Sequence, residues 1–287
     1  MERLRMKSLS TSQKIVYILA FIFFSVVELS KVYIIVLGFL QGCKTHTEAI
    51  LDPFGLPSVW HFENYIDAFT LLEVKGVNFL GMIGNTLWYA SGSVVLNLLG
   101  TFCITYIISK YKFPGSAFLN WLAIMVLIVP LYGAQGSMYI LAHKLNFINS
   151  PLLLITKIGG LTGNYLVMKA FIDGLSWTYA EAAFIDGASD FHVMWKINFP
   201  QLISPMMAIV LNQFIFSWNE YSNPLIYLPE MPVISVGLHL FESQMVYKVR
   251  MDILFAASII AIIPLWILYA AFNKSLLNLT FGGGIKG

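Results

Sequence analysis

The residues best suited to chemistry lie in one stretch in the second half of the chain, where carboxylates alternate with apolar residues. Glu181, Asp186 and Asp190 occur there among apolar side chains, between Trp177 and Pro200. An exposed carboxylate can form a charge-assisted hydrogen bond with a basic residue of another protein. An apolar patch in an aqueous loop is usually a docking surface. The types and spacing of these residues therefore favour binding of a partner over catalysis.

The rest of the sequence lacks a recognisable catalytic or cofactor-binding set. The five histidines are scattered, with no two at the spacing of metal ligands. Cys43 and Cys103 make neither a disulfide framework nor a metal cluster. The phosphate-binding pattern G-x-x-x-x-G-K-S/T does not occur. We therefore predict no cofactor, no metal and no ATP site, and a chain that is not itself an enzyme.

The composition indicates that these residues belong to a membrane protein. Charged residues make up 11% of the 287 residues, whereas a soluble domain carries about 25%. The hydrophobic share is 58% and the mean hydropathy is +0.75, which is more apolar surface than a soluble globule can hide. The formal net charge of +2 provides no electrostatic footprint for nucleic acid.

Six segments are candidates for membrane-spanning helices, each of which needs about 20 mostly apolar residues. They are 15–40, 76–109, 113–143, 151–171, 197–219 and 253–273. Glu28 and Lys31 lie three residues apart in the first, where they can pair on one helix face. Lys157 lies in the fourth, where its stem can reach the interface. We predict an all-α polytopic membrane protein with six transmembrane helices.

Basic residues indicate which side of the membrane the chain ends occupy, because lysine and arginine mark cytoplasmic loops. Ten of them lie on the side that holds both termini, and five lie on the other side. The sequence therefore predicts residues 1–14 and 274–287 as cytoplasmic tails around a six-helix domain of residues 15–273. The connection 172–200 is predicted to be a cytoplasmic loop.

Local patterns predict the structure of this loop. Residues 179–185 have the composition of a short helix, which Gly187 can end in a left-handed conformation. Apolar residues then recur near helical spacing over 191–197, and Pro200 is expected to stop this second helix. The sequence predicts a helix–turn–helix on the cytoplasmic face. The alternative is an amphipathic helix that lies on the lipid surface.

The same loop resembles the EAA loop of the permeases of ABC importers. The shared features are Glu181-Ala182-Ala183, followed by Gly187, Ile197 and Pro200 at the spacing of that motif. In that family the loop is a coupling helix, which seats in a cleft of the ATP-hydrolysing subunit. Here the resemblance implies a coupling loop formed by Glu181, Ala182, Ala183, Asp186, Gly187, Ile197 and Pro200.

Further motifs resemble the maltose-transporter-like carbohydrate branch of these permeases, specifically its smaller six-helix partner. They are Trp218-Asn219-Glu220-Tyr221 and the ending Phe281-Gly-Gly-Gly-Ile-Lys-Gly287. Ser176-Trp177, where the family often has Ile-Pro, and Phe199, where it usually has Leu, depart from the pattern. These departures concern the local shape of the loop more than its role.

The resemblance implies a type I ABC importer permease fold in the cell (inner) membrane and a set of partners. The partners are a second permease subunit, two ATP-binding subunits, an extracytoplasmic solute-binding protein, a sugar substrate and membrane lipid, with no nucleic acid. It also implies that Gly284 and Lys286 of the C-terminal tail reach toward the ATPase subunits.

Polar residues at mid-membrane depth are candidates for contact with a solute. If the fifth span enters the membrane near Ile203, Asn212 and Gln213 lie roughly 15 Å further along it at a rise of 1.5 Å per residue. Asn97, Gln135 and Trp218 are weaker candidates for the same path. The alternative is that these amides bond across helices and only hold the helices together.

Three other functions remain open at this level. A permease of the same superfamily could carry a solute other than a sugar. A solute carrier could work alone on an ion gradient, and an enzyme could be embedded in the membrane. Dependence on partners separates the hypotheses, because a carrier would transport when reconstituted alone and a permease subunit would not.

Overall fold

The computed structural model describes residues 10–111, 113–129, 133, 135–244 and 250–282, apart from the side chains at 205, 244 and 273–282. The α-helices, in chain order, are α1 (Thr11–Gly42), α2 (His46–Leu51), α3 (Glu63–Leu71), α4 (Phe79–Lys110), α5 (Ser116–Ile128), α6 (Gln135–Lys144), α7 (Gly163–Asp173), α8 (Thr178–Ile185), α9 (Asp190–His192), α10 (Phe199–Asn219), α11 (Ser222–Tyr227), α12 (Ile234–Gln244) and α13 (Met251–Gly282). A 3₁₀ helix covers Pro151–Lys157 and a π-helix covers Val193–Asn198. The strands β1 (Glu73–Val74) and β2 (Val77–Asn78) form a short antiparallel pair.

Three described helices are long and apolar enough to cross a membrane. They are Thr11–Gly42, Phe79–Lys110 and the first part of α13, Met251–Phe272. These helices coincide with the first, second and sixth predicted spans. The fifth predicted span belongs to a fourth candidate, in which Asp190–Ser204 and Met206–Asn219 are bent by 72°.

The third and fourth predicted spans each consist of two shorter pieces. The third comprises α5 and α6, and residues 130–132 and 134 between them lie outside the described part. The fourth comprises the 3₁₀ helix Pro151–Lys157 and α7, joined by residues 158–162. Six separate crossing helices therefore stay a prediction, whereas the all-α class of the fold is confirmed.

Both predicted tails contain helix. α1 begins inside the predicted tail 1–14, because the Ser10 hydroxyl accepts a hydrogen bond from the Gln13 N–H while the Gln13 side chain accepts from the Ser10 N–H. α13 continues into the predicted tail 274–287, because no proline or glycine follows until Gly282. Gly284 and Lys286 lie outside the described residues.

The described residues fall into two compact units. Residues up to Leu71, together with Gln244–Ile260, form the first unit. In it α3 closes the end of α1: the Asn64 side-chain amide donates to the carbonyl oxygens of Gly42 and Lys44, at 3.0 and 2.8 Å. The bond to Gly42 satisfies a carbonyl group at the C-terminus of α1, which has no partner within the helix, and the bond to Lys44 fixes the turn that follows.

The second unit comprises Leu72–Ser243 and the chain from Ala261 onward. In it α4 packs against both α7 and α10. A buried cluster between these helices consists of Phe102, Tyr106, Met168, Ile172, Leu202, Met206 and Ile209. Since apolar helices in lipid associate largely through such packing, this cluster positions the loop that joins α7 to α10.

Candidate coupling loop and solute path

The predicted helix in the loop is confirmed as α8, Thr178–Ile185. Its first turn holds Glu181, where a carboxylate interacts favourably with the positive end of the helix dipole. Ala180 is the buried residue of this helix, whereas Glu181 is exposed. The carboxylate of Glu181 therefore points away from the protein, and makes no hydrogen bond or ion pair with other described residues.

Gly187 ends α8 in the way the sequence predicts. Its φ is +85°, and the N–H groups of Gly187 and Ala188 donate to the carbonyl oxygens of Phe184 and Ala183, at 3.0 and 2.9 Å. This pair of bonds is the Schellman motif, which needs a left-handed residue at the position of Gly187. A Cβ atom here would meet no other atom within 4 Å, so only the backbone conformation calls for glycine.

The prediction that Pro200 stops the second helix is wrong. Ser189 caps α9, and the π-helix Val193–Asn198 then leads directly into α10, with Pro200 in the first turn of α10. The Phe199 N–H donates to the carbonyl of Met194, five residues earlier. This widened turn precedes the proline, which is tolerated in the first turn of a helix because its missing N–H is not needed there.

Four of the predicted coupling residues line one surface depression of about 540 Å³. They are Ala183, Asp186, Gly187 and Ile197, and their neighbours in the depression are Ala188, Ser189 and His192. The helix α8 and the turn after it therefore present a concave surface with one carboxylate. Such a surface can receive a side chain from another protein.

Aromatic residues form the floor beneath the second half of the loop. The ring centroids of Phe102 and Trp195 lie 5.3 Å apart, and those of Phe102 and Phe199 lie 5.0 Å apart, both with edge-on geometry. Asn198 is buried and its side-chain amide donates to the Tyr106 hydroxyl at 2.8 Å. The π-helix is thus packed and hydrogen-bonded against α4.

Amides from three helices meet in the membrane-spanning part of the second unit. The Asn164 side-chain N–H group donates to the Oδ1 of Asn97 at 2.9 Å and to the Oε1 of Gln213 at 3.3 Å. These contacts join α7 to α4 and α10, which favours the alternative that Asn97 and Gln213 hold helices together.

The other residues predicted along the solute path lie in different surroundings. Asn212 is exposed on α10 and makes no side-chain hydrogen bond with other described residues. Gln135 is exposed at the start of α6. Trp218 is only 2% exposed, and its indole N–H donates to the carbonyl of Ala261 at 3.1 Å. Within the described part, Asn212 and Gln135 are therefore the predicted residues that are free to meet a solute or another chain, and Trp218 is turned into the protein.

Sequence reasoning missed an ion pair in the same unit. Lys157 Nζ lies 3.0 Å from the Oε2 of Glu220, which also accepts a hydrogen bond from the Tyr89 hydroxyl at 2.7 Å. The expectation that the stem of Lys157 reaches the interface stays a prediction, and its ammonium group has this partner within the protein. One signal was available: a charge in an apolar span needs a partner of opposite charge.

Comparisons with known proteins show which family the sequence and the helical fold resemble. The profile of the family described as "Binding-protein-dependent transport system inner membrane component" matches residues 13–278. The chain is 26% identical to the diacetylchitobiose uptake system permease protein NgcG of Streptomyces coelicolor, over 82% of this chain and 78% of the relative. It is also 26% identical to the maltodextrin transport system permease protein MdxG of Bacillus subtilis, over 97% of this chain and 99% of the relative.

A solved structure has the same fold. It is a bacterial ABC transporter involved in the import of the acidic polysaccharide alginate. The match has a TM-score of 0.78 and covers 93% of this chain and 98% of the other, at 19% identity. At this identity the likeness concerns the fold alone.

Proposed function

The chain belongs to the family of inner membrane components of binding-protein-dependent transport systems, and on that premise we propose that it is the smaller permease subunit of an ATP-driven importer of an oligosaccharide. As a member of this family the chain is an integral membrane transport protein that works with other ABC importer components and a solute-binding protein. The names of its relatives support the sugar class, since diacetylchitobiose and maltodextrin are both oligosaccharides.

The observation that carries the proposal is the exposed helix α8, whose Glu181 carboxylate has no partner among the described residues. Glu181 points outward from a short helix whose end is defined by the Schellman turn at Gly187. A helix that lay on lipid would be rich in lysine and arginine on its polar face, whereas the one charged residue of α8 is Glu181. In our proposal Glu181 pairs with a basic residue of an ATPase subunit, and two such subunits bind a pair of permeases.

The exposed face of α10 is the proposed wall of the solute path. Asn212 lies on it without a partner among the described residues, in a segment where an unsatisfied amide is costly in lipid. A water-filled path between two permease subunits would satisfy this amide and would let it bond to a sugar hydroxyl.

We also propose that both termini lie on the cytoplasmic side of the inner membrane, where Gly284 and Lys286 extend toward the ATPase subunits.

Reconstitution tests the proposal. The chain, its partner permease, the ATP-binding subunits and the solute-binding protein are placed in liposomes, and uptake of labelled oligosaccharides is measured with and without ATP. Mass spectrometry of the solute that co-purifies with the binding protein identifies the sugar. We expect uptake only with all the components and ATP.

Two results would contradict the proposal in different ways. Uptake by this chain alone on an ion gradient would establish a stand-alone carrier. A bound solute that is not a carbohydrate would keep the permease role and overturn the sugar class.

A further inference from the structure

The outward face of α8 is not held by polar contacts of its own. Glu181 makes no side-chain bond with the described residues, and Tyr179 is 65% exposed. Its inner side packs on the π-helix Val193–Asn198 and buries Ala180. Charged and polar side chains at the end of α4 contact the chain at the two flanks of α8, at Trp177 before it and just after the turn that follows it. The contacts at these flanks therefore contribute to how α8 moves when a partner displaces it.

Two consecutive residues at the cytoplasmic end of α4 hold these two flanks. Lys110 Nζ lies 5.0 Å from the ring centroid of Trp177, the residue immediately before α8, which is within the range of a cation–π interaction. The Tyr111 hydroxyl donates to the Oδ1 of Asp190 at 2.8 Å, and Asp190 is the first residue of α9. We call Lys110 and Tyr111, with these two contacts, the fork.

The hydrogen bond from Tyr111 to Asp190 persists across the physiological pH range. Burial, and then the hydrogen bond to Asp190, raise the pKa of Tyr111. The phenol therefore remains a donor throughout the physiological range, and its acceptor is a carboxylate, which makes the bond charge-assisted. The Tyr111 ring also meets the ring of Tyr106, whose hydroxyl accepts from Asn198. The fork is thus continuous with the floor of the loop.

We propose that Lys110 and Tyr111 are positioning residues, which clamp α8 to the end of α4 so that the loop and α4 move as one body. The inference rests on the proposed coupling role of α8. Without the fork α8 would be joined to α4 only through the π-helix on which it packs and through the chain on either side of it. With the fork, a displacement of α8 by an ATPase subunit is also transmitted to α4, whose other faces pack on α7 and α10.

The test compares single-atom changes in the complete reconstituted transporter. Tyr111→Phe removes only the hydroxyl, and we expect it to lower the number of solute molecules imported per ATP hydrolysed. Loss of one charge-assisted hydrogen bond lowers the equilibrium constant between the clamped and the released loop by about tenfold, so we expect a loss of coupling of up to that order while ATP hydrolysis continues. Tyr139→Phe is the matched control, because the Tyr139 hydroxyl makes no hydrogen bond with the described residues.

Substitutions of Asp190, which accepts the hydrogen bond of Tyr111, test the same contact from its other side. Asp190→Ala removes the acceptor and should reproduce the effect of Tyr111→Phe, and the double variant should be no worse than either single variant. Asp190→Asn keeps an acceptor oxygen and should retain most of the coupling. A role in stability alone would lower the amount of assembled complex without changing the import ratio of the complex that remains.

Two further variants distinguish a failure of the fork from a failure of the proposed coupling role of α8. If Glu181→Lys abolishes uptake while Tyr111→Phe keeps the wild-type ratio, the fork is refuted and the coupling role of α8 stands. If Glu181→Lys transports normally, the proposed coupling role itself fails. Should Tyr111→Phe not assemble, Lys110→Met tests the other arm, and a wild-type ratio in that variant equally overturns the proposal.

Discussion

Lys157 Nζ lies 3.0 Å from Glu220 Oε2, although the two residues are 63 positions apart in the sequence. Both side chains are largely shielded, at 17% and 10% exposure. Glu220 is further held by the Tyr89 hydroxyl and the Asn223 amide, and its backbone carbonyl accepts from the Ser235 hydroxyl at 2.8 Å. The pair therefore connects the 3₁₀ helix Pro151–Lys157 with α4 and with the chain around α11 and α12.

We predict that removing one charge of this pair destabilises the protein more than removing both. Breaking a buried pair leaves an uncompensated charge, which costs about 3–5 kcal/mol, whereas neutral replacements of similar shape are often tolerated. Lys157→Met and Glu220→Gln should each lower the thermal unfolding temperature of the purified protein. The double variant Lys157→Met/Glu220→Gln should recover part of the loss. Strictly additive losses would show that the two charges do not interact.

The neighbouring amides Asn212 and Gln213 should behave differently on substitution. Asn212 has no described partner, so Asn212→Ala should weaken solute transport by up to about tenfold, the value of one lost hydrogen bond to a sugar hydroxyl. Gln213 bonds to Asn164, so Gln213→Ala should lower stability and leave the apparent solute affinity unchanged. Asn164→Ala is the matched control for a helix contact. Normal transport in Asn212→Ala would remove this residue from the path.

These contrasts show which features the sequence could predict. The turn at Gly187 and the long helices α1, α4 and α13 follow from local patterns, since a glycine after a short helix and a long apolar run each act within one segment. The prediction for Pro200 failed because a π-turn, which has no recognised sequence signature, prepares the chain for the proline. The pairing of Lys157 with Glu220 depends on tertiary packing, and so does the clamp of Tyr111 on Asp190.

The orientation of the chain can be tested with two serine-to-cysteine variants. We expect an impermeant thiol reagent to label Ser58→Cys in intact cells and to spare Ser176→Cys, since both positions are exposed and lie on opposite predicted sides. Cys43 is not a useful reporter, because it is fully buried and its burial raises the pKa of its thiol. Cys103, the other cysteine, lies within the predicted second span, so the unmodified chain should remain unlabelled. The reverse labelling pattern would place the termini outside and would remove α8 from the ATPase side.

The last prediction concerns the turn that ends α8. A residue with a Cβ atom pays about 1–2 kcal/mol in the left-handed conformation that Gly187 adopts, and asparagine pays less than other residues. Because a Cβ atom at this position meets no neighbour within 4 Å, side-chain size should not matter within the chain itself. We therefore expect uptake to be highest in Gly187→Asn, lower in Gly187→Ala and lowest in Gly187→Val, while the permease assembles normally.

The measurement is uptake and ATP hydrolysis by the same reconstituted complexes. If the backbone conformation of the turn determines how α8 is presented, the loss of uptake follows the cost of the left-handed conformation, and Gly187→Asn remains nearest to the wild type. Gly174→Ala is the matched control, since Gly174 ends α7 in an ordinary right-handed conformation with φ of −77°. An equal loss of uptake in all three Gly187 variants would mean that any side chain there collides with the ATPase subunit, and that space at the joint, not the conformation of the turn, requires glycine.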